Sequence, residues 1–435
     1  MMPFLKRTAE DENTLRWLRL DNAAKIYPAA RRRNWTNVFR LSVTLKEPVD
    51  VAVLQSAVDV TAPRFPSICA RLRRGVFWYY LQQLPYSIKV GKEYSYPMAR
   101  MCREELRHSA IRIIAYENRI ALEVFHSLTD GNGAMVFLKS LLAEYLEQKY
   151  GISVPAEQGV LDRREEPSEE ELEDSFLKYA GNLCASRKAN DAWHLGGTPV
   201  PGDFLHVTCL QLPVQQVLSK AHEYGVSVTS FLGAVMMMAL QQLQEEQVPQ
   251  QKKRESIKVL LPINLRRLFG SRTLRNFALY TTPEIQPQLG WYSFEEICRI
   301  VHHQLGLDNN PKYMSTMIAT NVVSERMLAV KLMPLFIKNI VMKAVFDAVG
   351  ERKSCLSLSN LGQIRLPDVM IPYVQRMDFV LGVQATKPYN CGVVSFGDTI
   401  YVNFIRNTRE PILESKFYQV LRDLDISVLA ESNRQ

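Results

Sequence analysis

The chain has 435 residues, 47% of them hydrophobic, with 53 Lys and Arg against 45 Asp and Glu, a formal net charge of +8. That length suits two domains or one large one, and that apolar content is ample for a packed core. The positive charge is moderate, spread along the chain and free of any nucleic-acid motif, which argues against DNA or RNA binding and favours anionic ligands such as nucleotide phosphates.

In chain order, residues 14–33 show helical periodicity that breaks near Pro28, followed by a basic cluster, Arg31, Arg32 and Arg33, read as a solvated patch. NVFRLSVTLKEPVD alternates as a strand does and ends at Pro48. VAVLQSAVDVTAPRF is a helix stopped by Pro63. ICARLRRGVFWYYLQQL reads as a hairpin turning at Gly75, and residues 109–116 and 119–125 as two strands joined by Glu117-Asn118. His126 ends the second of these, and AMVFLKSLLAEYLEQKYG after it is an amphipathic helix. Residues 155–204 are acidic, then rich in Gly and Pro, and read as an exposed crossover.

The second half opens with a strand, LHVTCLQLP, then a helix closed near Gly225 and another capped by Ser227 or Thr229. The methionine run of that helix reads as core. SIKVLLPINLRRLFG predicts a buried strand broken by Pro262. Helices follow over SFEEICRIVHHQLG and roughly 312–348, within which 333–350 reads as buried or half-buried, a membrane-surface helix being the minority reading. SCLSLSNLG is a short strand, and DFVLGVQ, CGVVSFG and TIYVNFIRN are sheet strands, the last two a hairpin over Gly397-Asp398. A helix over 411–427 ends the pattern. No apolar run has the length of a membrane span, and the first residues lack the apolar core of a signal peptide. Seven scattered cysteines without a C-x-x-C pair argue for free thiols in a reducing compartment, so a cytoplasmic chain is expected.

The stretch VFHSLTDGNG carries the clearest chemistry. It places His126 where a strand gives way to a loop, with Asp130 and Gly131 at the start of the next helix, and rigid strands hold such loop residues in fixed positions. Histidine titrates near neutral pH and so suits proton transfer. Asp130 either orients His126 or holds the loop structurally. Asn276, Ser359 and Asn360 are polar residues placed as oxyanion donors, or as simple turn residues. His302 and His303 lie on a helical face with charged neighbours and read as solvated, and His108, His194, His206 and His222 have no partner at metal-ligand spacing, so no metal is expected.

The run H-x-x-x-D-G at 126–131, PINLR at 262–266 and SNLG at 359–362 resembles the CoA-dependent acyltransferase superfamily, which includes chloramphenicol acetyltransferase, alcohol acyltransferases, wax ester synthases and condensation domains. The D-F-G-W-G motif of its plant branch is absent. The resemblance implies an α/β fold of two similar chloramphenicol-acetyltransferase-like domains, with mixed sheets, helices and an active-site tunnel between them. The divisions expected are 1–160, a linker at 161–204, and 205–435. His126 would be the general base, and Asp130 would turn away from it to pair with Arg266 of the second domain, with Gly131 allowing tight packing. No tightly bound cofactor is implied. Acyl-CoA would be a co-substrate, its phosphates met by Lys252, Lys253, Arg254, Arg272 or Arg275, and the acceptor a small alcohol or amine. The expected enzyme is a monomeric O-acyltransferase moving an acyl, foremost an acetyl, group. A condensation-type member using carrier-bound substrates, or a non-catalytic binding module, is the alternative; no carrier-protein sequence accompanies the motifs, which favours free acyl-CoA.

Overall fold

A computed structural model describes residues 15–30, 37–93, 96–184, 190–201, 204–349, 351–384 and 387–433. The cluster at Arg31 to Arg33 lies outside them. The first half runs β1 (Trp17–Arg19), α1 (Ile26–Ala30), β2 (Val38–Leu45), α2 (Val51–Thr61), β3 (Ala70–Arg74), β4 (Tyr79–Gln83), β5 (Val90–Lys92), α3 (Arg103–His108), β6 (Ile111–Tyr116), β7 (Arg119–Phe125) and α4 (Gly131–Tyr150). Two short helices follow, α5 (Glu169–Leu172) and α6 (Ser175–Tyr179). The second half has β8 (His206–Pro213), α7 (Val214–Glu223), α8 (Val228–Gln247), β9 (Ile257–Asn264), α9 (Leu265–Phe269), β10 (Ala278–Thr281), β11 (Glu284–Ile285) and α10 (Phe294–Asp308). It continues with α11 (Pro311–Arg326), α12 (Leu328–Leu332), α13 (Leu335–Val349), β12 (Leu356–Gln363), β13 (Val374–Val380), β14 (Tyr389–Phe396), β15 (Thr399–Arg406), α14 (Ile412–Asp423) and β16 (Leu429–Ser432).

The strands form two main mixed sheets. One has the order β13-β2-β7-β6-β5; the other runs β10-β9-β12-β14-β15-β8-β16, with β11 also on β9. A small third sheet joins β1, β4 and β3. Alternation explains the first main sheet: along β2, Phe39, Leu41 and Val43 enter the core, while Arg40, Ser42 and Thr44 take the other face. α2 and α4 pack together on the apolar side. α8 is buried over most of its length, and Met236 and Met237 are fully enclosed in the second core.

Several expectations need correction. Residues 17–19 are a strand, because Leu18 pairs with Leu81 across β4 and this tertiary pairing overrides a helical pattern. β9 runs through Pro262: its pairing with β12 ends at Leu260, and Pro262 faces Tyr280 of β10. The helix of 312–348 is three helices, broken at Met327 and before Pro334. The acidic segment is partly built in, since Glu171 takes both Nη groups of Arg64 at 2.6 and 2.9 Å and Phe176 is fully buried. β13 pairs with β2, so the sheet of the first half takes a strand from beyond residue 205. α13 is half-buried: Leu335 and Lys338 are enclosed at 4% and 2% exposure, while an apolar stripe faces outward, with Phe336 59% exposed, Ile340 68% and Val341 45%. Among the described residues no single helix is long and apolar enough to cross a membrane.

Candidate active site

The loop leaving β7 is held at both ends. His126 N–H donates to Asn37 O at 2.8 Å, continuing the pairing with the segment before β2. Asp130 is the N-cap of α4: its Oδ1 accepts from Asn132 N and Gly133 N at 3.1 Å each, satisfying two of the unpaired amides of the first turn. Its Oδ2 accepts from Arg266 Nη1 at 2.8 Å and from Phe277 N at 2.9 Å. All the carboxylate bonds of Asp130 therefore point away from His126, as a structural role requires. Burial alone would raise Asp130 above the ordinary 3.8, but Arg266 and the backbone donors outweigh it and hold the carboxyl lower. Arg266 is itself fixed, with Nε donating to Thr273 O at 2.7 Å and Nη2 to Arg275 O.

The residue that touches the His126 ring polarly is Asn276. His126 Nδ1 lies 3.0 Å from Asn276 Oδ1. The Asn276 amide donates to the His126 carbonyl at 3.1 Å and to Asp21 Oδ2 at 3.2 Å. These two acceptors assign the amide orientation, so Oδ1 is the acceptor and Nδ1 carries the ring proton. The lone pair is then on Nε2. Asp21 is fully buried between Asn276 and Arg275, whose Nε is 3.7 Å from Asp21 Oδ2, and it caps Ala24 N at 2.7 Å. Tyr27 of α1 stacks on the imidazole at 4.4 Å and 19°, and Phe39 meets it edge-on at 5.1 Å. Burial pushes the imidazolium below the ordinary 6.5, against the upward pull of its own backbone bond, Asp130, Asn276 and Asp21. The ring is therefore neutral at pH 7.

Asn276 is thus no oxyanion donor, since both its amide hydrogens are committed. Asn360 is partly tied: one amide hydrogen goes to Thr229 Oγ1 at 3.1 Å and its side-chain carbonyl accepts from Gly362 N at 2.8 Å, leaving the second amide hydrogen. Ser359 sits in β12 opposite Gly392, with no bond to His126. Gly131 is tight but yielding, as an added Cβ would meet the tip of Leu361 at 3.0 Å. Gly133 is the stricter position: a Cβ there would lie 2.1 Å from Thr129 Oγ1 and 2.2 Å from Leu274 O. Thr129 Oγ1 also donates to Leu274 O at 2.5 Å. Sequence reading missed Gly133, Asp21 and Tyr27. The second glycine of DGNG was a visible signal for the first; the other two depend on contacts no local pattern carries.

The five proposed phosphate contacts do not form one cluster. Lys252 and Lys253 are exposed at one end of β9, while Arg272 and Arg275 lie beyond the other end, roughly 25 Å away along eight residues. Arg275 is buried, donating to Arg19 O and Leu172 O beside Asp21, so it cannot meet a phosphate. Arg254 is held by Glu245 and the Val248 carbonyl. Arg272 is 80% exposed. A cleft of about 1060 Å³ opens between the two main sheets, on the face of β2 away from His126. Two of the four arginines that line it are paired, Arg40 with Glu93 and Glu123 and Arg376 with Asp378 and Glu431; Arg119 and Arg409 also line it, and His126 does not. Among the described residues no three His, Cys, Asp or Glu side chains converge as a metal site.

The sequence matches no protein-family model and no curated protein. Solved structures do match over nearly the whole chain. F. sporotrichioides TRI101, solved with coenzyme A and T-2, is 9% identical, with a TM-score of 0.61 over 96% of this chain and 99% of that one. The first condensation domain of the calcium-dependent antibiotic synthetase is 15% identical, with a TM-score of 0.60 over 94% and 96%. The wax ester synthase/diacylglycerol acyltransferase from Marinobacter aquaeolei VT8 is 12% identical, with a TM-score of 0.54 over 94% and 100%. This chain has the fold of the CoA-dependent acyltransferases and condensation domains. Within that fold, the loop from His126 to Gly133 is tied to residues 266–277 by the bonds of Asp130 to Arg266 and Phe277 N, of His126 to Asn276 and of Thr129 to Leu274 O.

Proposed function

We propose that this chain is an acyltransferase that moves an acyl group, foremost acetyl, from acyl-CoA to a small hydroxyl or amine acceptor, with His126 as general base. The observation that carries this reading is the bond from His126 Nδ1 to Asn276 Oδ1, which leaves the Nε2 lone pair of a neutral ring for a proton. In the proposed step Nε2 takes the proton of the acceptor as its oxygen or nitrogen attacks the thioester carbonyl. The tetrahedral intermediate collapses, the C–S bond breaks, and the CoA thiolate recovers the proton from the imidazolium. A thioester is already activated, so no covalent enzyme intermediate is needed. Asp130 and Arg266 act as positioning residues that fix the loop. Ser359 and the second amide hydrogen of Asn360 are the remaining candidate donors to the oxyanion. Among the exposed cations we favour Arg272, four residues before Asn276, as a contact for the CoA phosphates, with Lys252 and Lys253 as the others. The lobes we assign are 1–160 and 205–435, with β13 as the strand that crosses between them.

The test is to incubate the protein with acetyl-CoA and a panel of alcohols and amines and to follow free thiol and acylated product. Acceptor-dependent thiol release supports the reading. No release with acetyl-CoA or longer acyl-CoAs, but transfer from a carrier-bound thioester, would select the condensation-type alternative that one of the matched structures represents.

A further inference from the structure

Among the described side chains of α13, Leu335 and Lys338 are enclosed, at 4% and 2% exposure, while Phe336 and Ile340, one turn apart, are 59% and 68% exposed. Lys338 Nζ sits 3.3 Å from the centroid of the Trp78 ring and donates to Phe77 O at 3.0 Å. Leu335 N donates to Val76 O at 3.0 Å. These contacts clamp the β3–β4 turn to the helix, and the turn also presents apolar side chains outward, Val76 at 73% and Phe77 at 43% exposure. Leu332 of α12, 63% exposed, extends the same surface. An outward-facing patch of this kind marks an interaction site, because water alone gives no reason to expose it.

The charge says what covers it. The segment 327–343, MLAVKLMPLFIKNIVMK, holds three lysines and no acid. Lys331 and Lys343 are exposed, as is Arg74 beside the turn. We propose that α12, α13 and the turn at Val76 and Phe77 form a docking surface for an anionic lipid bilayer, with the apolar side chains entering the acyl region and the cations meeting headgroup phosphates. A second copy of the chain fits less well, since a two-fold contact would set lysines against lysines with no carboxylate in residues 327–343. α13 packs on α1, the helix that carries Tyr27, so the bilayer face lies one short helix from His126. The docking surface does not depend on the acyl-transfer reading.

Vesicle flotation of the full chain tests it. The protein should float with vesicles of phosphatidylcholine and phosphatidylserine, less with phosphatidylcholine alone, and less at high salt. Phe336→Ser with Ile340→Ser should lower partitioning by roughly tenfold on both lipids without changing Tm, since both side chains are exposed. Lys331→Glu with Lys343→Glu should lower it by roughly tenfold on the anionic vesicles and little on the neutral ones. The proposal is overturned if the wild-type protein stays soluble with both vesicles, or if neither pair of substitutions alters flotation. It is also overturned if sedimentation velocity shows a dimer that the Phe336 and Ile340 substitutions dissociate.

Discussion

The loop from His126 to Gly133 and the helix α13 both enclose a charged side chain, and differ in what else they enclose and in what they expose. At the loop, a carboxylate, an arginine, an amide and an imidazole are drawn inward and almost every polar atom has a partner: Asp130 alone accepts four hydrogen bonds. At α13 the outward side carries Phe336 and Ile340 and the inward side Leu335 and Lys338. Buried polar groups cost free energy unless paired, so the loop network exists for geometry rather than for stability alone. Exposed apolar groups gain nothing in water, so the helix surface is shaped for something outside the chain. One region is organised around the position of a single ring, the other around a boundary.

The contrast is broken most severely at the ring itself. His126→Ala should leave Tm near its wild-type value and lower kcat by about 10²–10⁴-fold, the usual worth of a positioned base. Breaking the ion pair comes next. Arg266→Ala strands the Asp130 carboxylate, at a cost of roughly 3–5 kcal/mol where both partners are nearly buried, and should lower both Tm and turnover. A double-mutant cycle with Asp130→Ala should show strong coupling in thermal unfolding. If Asp130→Asn crippled turnover while Arg266→Ala did little, the aspartate would be orienting the histidine instead.

Gly133→Ala should destabilise by about 1–3 kcal/mol through overpacking against Thr129 and the Leu274 carbonyl, with Gly131→Ala clearly milder, as read by denaturant midpoints. Asn276→Ala should lower kcat by about tenfold, the worth of one oriented hydrogen bond of about 1–1.5 kcal/mol. At the other extreme, Phe336→Ser should change stability by less than about 0.5 kcal/mol, because that residue is 59% exposed. A large loss of Tm there would erase the comparison.

Much of the loop was readable in the sequence, and its physical basis is local. Alternation marked β2, β6 and β7 and the helix pattern after Gly131 marked α4, whereas the pair of Asp130 and Arg266, 2.8 Å apart and 136 positions apart in sequence, came from the family resemblance. What could not be read depends on distant contacts or on direction. Asp21 meets Asn276 across 255 positions, and only after β1 has paired with β4, which a helix-like pattern concealed. Arg275 looks like any surface cation in one dimension, yet it closes over Asp21. β13 reads as a strand, but periodicity does not tell which sheet it joins. The apolar stripe of α13 was visible too; periodicity gives a helix its face but not the side on which the core lies.

Acid should weaken the site through two groups with the same sign. Asp130 is held below 3.8, so the stability it adds is present above that value and is lost as pH falls through its folded pKa. His126 is held below 6.5 as the neutral ring, so the unfolded chain gains a proton first, and stability declines as pH drops from 6.5 towards the folded pKa. The same shift governs the chemistry, because only the neutral ring accepts the acceptor's proton. The pH dependence of kcat/KM for acyl transfer from acetyl-CoA therefore probes the base role most directly. Turnover should be flat above neutrality, with a single acid limb whose midpoint lies below 6.5, and His126→Gln should abolish the limb with the activity. Near-normal turnover in a well-folded His126→Gln protein, or a limb centred above 6.5 that survives the substitution, would contradict it.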